Sequence, residues 1–177
     1  MYLEAVEIIG DWMKDSNNGV NAMLSQLELS PGDLRPPTVK TIMDESRDQE
    51  VIKRMEPQNV PAIYIFLDDP ILVNAIDPTG VQQKIEELPI TLRYITREIE
   101  PVKVRRHTMY TLRAMLMSLN RLNLPDNQSS RVKNSICLEV IVSVATLGDI
   151  LEKVGDASTV TGAVISTWMA TDRLPKG

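Results

Sequence analysis

The chain has 177 residues, 43% of them hydrophobic, enough for one well-packed core, and a single domain over 1–177 is expected. Its 24 acidic and 19 basic residues leave a net charge of −5, which argues against a tight nonspecific grip on nucleic acid or an anionic membrane. One cysteine, Cys137, and one histidine, His107, exclude an intrachain disulfide, a thiolate-rich metal site and a histidine pair for zinc.

Residues 2–14 place Leu3, Val6, Ile9, Gly10 and Met13 at three- and four-residue spacing, which predicts an amphipathic helix ending near Asp15. SNNG at 16–19 reads as a turn. Val20, Met23, Leu24 and Leu27 then share one face of a second short helix. SPGDLRPP at 30–37 ends it, because its prolines and glycine deny a helix the hydrogen bonds and dihedrals it needs. A strand, TVKTIMDE, and one or two helical turns in RDQEVIKRM at 47–55 are expected next.

PAIYIFLDDP at 61–70 is the clearest strand: Ile63 to Leu67 run apolar without a break, so both faces are expected to be buried and the strand central, beneath the long helix. In ELPITLRYITRE, Ile90, Leu92 and Tyr94 alternate with Thr91 and Arg93, giving a strand with one buried face, and Pro89 marks an edge or a strand entrance. The strongest helix follows, from about Glu100 to Asn123. Pro101 suits its first turn, Val102, Met109, Leu112, Leu116 and Leu119 form its apolar stripe, and Lys103, Arg106, Arg113 and Asn120 lie opposite. A polar loop at 124–134 leads to a strand in which Ile136, Leu138, Val140, Val142 and Val144 alternate with more polar positions. A long, partly helical connector at 147–159 leads to a last strand at 160–171, rich in β-branched residues. The order predicts an α+β fold: a mostly antiparallel mixed sheet of about four to five strands, a long helix on one face and short N-terminal helices.

No stretch approaches the roughly 18 apolar residues of a spanning helix. The N-terminal segment lacks the basic start and cleavage site of a secretory signal, so a soluble cytoplasmic protein without a membrane partner is expected.

The chemistry is sparse. Asp68 and Asp69 follow a buried strand, as acids do in metal-dependent phosphoryl-transfer sites, but adjacent residues of a strand point to opposite faces and converge only if the chain turns at Pro70. No phosphate-cradling glycine loop accompanies them. Asp44, Glu45, Asp48 and Glu50 form a second acidic cluster, of the kind usually found in a solvated loop or a helix's first turn. His107 falls off the expected apolar stripe, and Cys137 sits mid-strand, where a thiol packs. Lys103, Arg105, Arg106 and Arg113 make a basic strip on the long helix, either a solvated face or a contact for phosphate or an acidic partner. No catalytic, cofactor-binding or metal-ligating residue is therefore assigned, and no enzyme activity is expected. The segments 30–37, 124–134 and 147–159 are longer than a compact fold requires, which points to contact with other molecules.

The order of segments, from the N-terminal helix running into GVNAML through PAIYIFLDDP, LPITLRYITRE and VRRHTMYTLRAMLMSLNRL to the closing TWMATDRLP, resembles the tail terminator family of long-tailed bacteriophages, also called tail completion or minor tail proteins. That resemblance implies a hexameric ring at the virion's tail–neck junction, assembled in the host cytoplasm. Such a ring caps the tail tube, ends its polymerisation and offers a docking surface to neck or head-completion proteins, and to a sheath if the tail contracts. DNA would pass without sequence-specific binding, and no cofactor is implied. The family contributes no site residues. Two alternatives stand beside it: another neck component, such as an adaptor or head-completion ring, and an enzyme using Asp68 and Asp69.

Overall fold

The computed structural model describes residues 3–27, 35–42, 61–67, 72–74, 83–96, 100–133, 136–145, 151–154 and 157–173. The chain is α+β with a mixed sheet. Its helices are α1 (Leu3–Lys14), α2 (Val20–Gln26) and α3 (Pro101–Leu122), and a 3-10 helix spans Pro125–Arg131. The strands are β1 (Thr38–Ile42), β2 (Ala62–Leu67), β3 (Leu72–Asn74), β4 (Gln83–Thr96), β5 (Val132–Lys133), β6 (Ile136–Ala145), β7 (Leu151–Val154) and β8 (Ala157–Arg173). The sheet order is β1-β2-β4-β8-β6-β5, with β3 added to β4 and β7 to β8. Only β1 and β2 run parallel; every other described pair is antiparallel.

The N-terminal helices form where the apolar spacing predicts them. α1 buries Ala5, Val6, Ile8, Ile9, Trp12 and Met13, a wide apolar face. The chain then reverses through Asp15, whose side-chain carboxylate accepts the Asn17 and Asn18 amides at 2.9 and 2.7 Å while its carbonyl accepts the Gly19 amide at 2.9 Å. α2 buries Val20, Met23 and Leu24 and packs along the C-terminal half of α3. Three long-range hydrogen bonds fix this layer: Trp12 Nε1 to the Ser118 carbonyl (2.8 Å), Ser118 Oγ to the Asn18 carbonyl (2.7 Å), and Arg121 Nη2 to Gln26 Oε1 (2.9 Å).

Ile63 and Ile65 of β2 alternate onto the helix-facing side, opposite Tyr94 and Leu92 of β4, and with Ile90 they form the floor of the core. Tyr64 and Ile95, on the other side, are buried too, so β2 is covered on both faces as its unbroken apolar run predicts. Its position differs from expectation. β2 is second from the edge, and the helix lying over it is α1, whereas α3 makes its main sheet contacts with β8, β4 and β6.

Several other expectations are corrected. Eight strands are described where four to five were expected. Pro89 lies inside β4, opposite Thr167 of β8, and not at an edge. On its other flank β4 changes partner, from β3 at Ile85–Glu87 to β2 at Ile90–Ile95, and Pro89 lies between these two ladders. The polar loop at 124–134 contains the 3-10 helix and β5. Of the connector at 147–159, the described residues 151–154 form β7 and pair with the start of β8 as Leu151↔Val160 through Val154↔Ala157, so this part extends the sheet where a partly helical connection was expected. The expected helical turns at 47–55 lie outside the described residues.

The two ends of the sheet meet at one helix. A Cβ added at Gly10 of α1 would run into the Thr41 methyl of β1, while Glu7, about one turn earlier, and the adjacent Asp11 reach Lys133 of β5. A flat six-strand sheet would hold its edges about 24 Å apart at about 4.8 Å per strand, well beyond one helix diameter of about 10–12 Å. The sheet therefore curls around α1.

Candidate interaction surface

α3 begins at Pro101, whose fixed φ suits a first turn, and Val104 N–H closes that turn on the Glu100 carbonyl at 2.9 Å. Its buried face carries Val104, Leu112, Ala114, Met115, Leu119 and Leu122 together with the polar residues His107, Thr108, Thr111 and Ser118. This corrects the stripe expected from sequence: Val102 and Met109 are 71% and 51% exposed, and His107 is buried. Four buried polar residues broke the apolar signal and rotated the apparent stripe by about one residue, or about 100° of helix. The Thr108 and Thr111 hydroxyls have no hydrogen-bond partner among the described residues.

The outward face is consequently a mixed one. Val102, Arg106, Met109 and Arg113 follow one another at four-, three- and four-residue steps and form one exposed line about 16 Å long. Neither Arg106 nor Arg113 has an ion-pair partner among the described residues. Lys103 pairs with Glu100 at 3.2 Å, but both side chains are about half exposed and the pair adds little. Residues 100–123 contain five cations and one acid, so they hold +4 in a chain whose total is −5 and whose remainder is −9.

A second surface lies where α1 meets the 3-10 helix and β5. Ile8, Asp11, Trp12, Asp15, Val132 and Lys133 line a groove of about 340 Å³. Lys133 Nζ binds Glu7 at 2.5 Å and sits 4.0 Å from Asp11, whose side chain is 74% exposed. The hydrogen bond to Glu7 is the largest influence on the Lys133 ammonium and holds it above the ordinary lysine value; partial desolvation opposes this, and the Glu7, Asp11 and Glu4 charges reinforce it.

Asp44, Glu45, Asp48, Glu50, Asp68 and Asp69 all lie outside the described residues, as do 30–34 of the proline-rich segment. Cys137 lies in β6, opposite Val132 of β5 and Thr171 of β8. Among the described residues there is no group of three His, Cys, Asp or Glu placed to hold a metal, and no helix is long and apolar enough to cross a membrane. Of the basic strip expected from sequence, Lys103, Arg105, Arg106 and Arg113 are all exposed, and Arg106 and Arg113 fall on the line with Val102 and Met109. The groove beside Lys133 went unread in sequence, because its acids belong to α1 and its cation to β5, more than a hundred residues apart. No family model matches the chain, and no curated protein or solved structure matches it.

Proposed function

We propose that the chain is a structural assembly protein that works through its surfaces, as a tail terminator does: a hexameric ring that caps a phage tail tube, stops its growth and receives the neck or head-completion proteins. In this reading a mostly antiparallel sheet, with α3 on one face and the short helices beside it, is the rigid body of each subunit. The observation that carries the reading is the exposed Val102–Arg106–Met109–Arg113 line, in which uncovered apolar side chains alternate with arginines that have no ion-pair partner among the described residues, on a helix held down from beneath. The acidic balance of the whole chain suits a ring through which DNA passes, since a strongly basic lumen would retain it.

The test is size-exclusion chromatography with light scattering, followed by negative-stain imaging, with and without tail tube protein. Six-fold rings that bind tube protein are expected. A monomer at every concentration, with tube protein present, overturns the reading, and binding to a portal protein in place of the tube moves the chain to another neck position. Alanine at both Asp68 and Asp69 is expected to leave assembly intact; loss of a Mg²⁺-dependent activity from that variant would instead establish an enzyme.

A further inference from the structure

We propose that copies of this chain join head to tail through unlike faces, the Val102–Arg113 line of α3 on one copy seating in the α1–β5 groove of the next. The proposal rests on the ring reading above and names the surfaces that build the ring.

Three features support the match. The first is charge: α3 is +5 and the remainder of the chain is −10, and Arg106 and Arg113 have no ion-pair partner among the described residues, so an acidic face on a second copy can supply one. The second is availability. Glu7 takes the close contact with Lys133, leaving Asp11 at 4.0 Å and 74% exposed on the groove wall, where an incoming guanidinium can pair with it. The third is the apolar component. Val102 and Met109 are uncovered on the line, and Val132, 48% exposed, is uncovered at the groove. The two faces share no residue, so their pairing leaves a free line on one copy and a free groove on the other. That is the heterologous geometry which closes into a ring when the rotation permits.

A charge exchange tests it. One variant is Arg106→Glu/Arg113→Glu; the other is Asp11→Lys. All three side chains are exposed, so both variants are expected to keep the wild-type circular dichroism spectrum and melting temperature. Each alone is expected to self-associate at least about tenfold more weakly than wild type, because like charges then face each other. An equimolar mixture is expected to regain assembly, since every junction in an alternating ring pairs opposite charges again. The triple variant in one chain is expected to regain it too.

Rings that persist in either separate variant overturn the proposal while leaving the ring reading in place. Loss in both variants without recovery on mixing also overturns it. An arginine variant that assembles normally but loses affinity for duplex DNA would assign the α3 line to nucleic acid instead. If the wild type forms no ring with or without tube protein, the functional reading fails, and this pairing with it.

Discussion

Gly10 marks the closest approach of α1 to the sheet, where a Cβ would meet the Thr41 methyl of β1. In an isolated helix Gly→Ala gains about 1 kcal/mol, but forcing a methyl into a filled contact costs about 1–3 kcal/mol. Gly10→Ala is therefore expected to destabilise the protein, and Thr41→Ser, which removes the obstructing methyl, to restore most of the loss in the double variant. Urea unfolding of the four-member cycle measures this, and simple additivity would refute the contact. Gly19 faces a harder obstacle, since a Cβ there meets the backbone carbonyls of Met13 and Asp15 and no second substitution can remove them. The crowding at Gly10 was only half legible: the spacing placed it on the buried face, but its partner, Thr41, carries no mark in sequence of lying beneath a helix.

Among the elements, α3 shows how a strong pattern can be correct in kind and wrong in phase. Its length and first turn were legible, because Pro101 and repeated apolar positions suffice for both. Its rotation was not, because His107, Thr108, Thr111 and Ser118 are buried and contribute nothing to a count of apolar residues. The two phases differ at Met109 and Met115. Met115 is fully buried, so Met115→Ala is expected to cost about 2–5 kcal/mol, while Met109→Ala at a half-exposed position is expected to stay within about 0.5 kcal/mol. Equal losses in thermal or urea unfolding would restore the phase read from sequence. The β7–β8 pairing was legible in principle. Val154 and Ala157 are partners with only Gly155 and Asp156 between them, a two-residue Gly-Asp hairpin signal, but the charged Glu152 and Lys153 made the stretch look like part of a long, partly helical connector.

For the whole molecule, the curl of the sheet around α1 places two groups with displaced titration on different parts of the structure. Burial holds the Tyr64 phenol above its ordinary value, because desolvation disfavours the phenolate, and Glu7 holds Lys133 above its own. In both, the folded value exceeds the unfolded one, so their contribution to stability is complete below about pH 10 and is lost as pH rises through the folded values. The melting temperature is expected to fall more steeply above about pH 10 than between pH 7 and 9, with Tyr64→Phe reducing that extra slope. A flat profile across that range would contradict the burial of Tyr64. The curl itself was not legible, since the chain gives no local sign that Glu7 and Lys133 belong together.

Asn123 closes α3 and turns its side-chain amide onto β6, donating from Nδ2 to the Val140 carbonyl at 2.5 Å and accepting the Val140 amide at Oδ1 at 3.0 Å. One side chain thus counterfeits a neighbouring strand beyond the reach of β5, which among the described residues pairs with Ile136 and Cys137. It occupies a stretch of sheet edge that would otherwise recruit foreign strands. Asn123→Ala is expected to leave the monomer folded but to raise concentration-dependent aggregation, followed by light scattering during prolonged incubation. A protein proposed to halt another polymer carries, in a single carboxamide, a guard against becoming one.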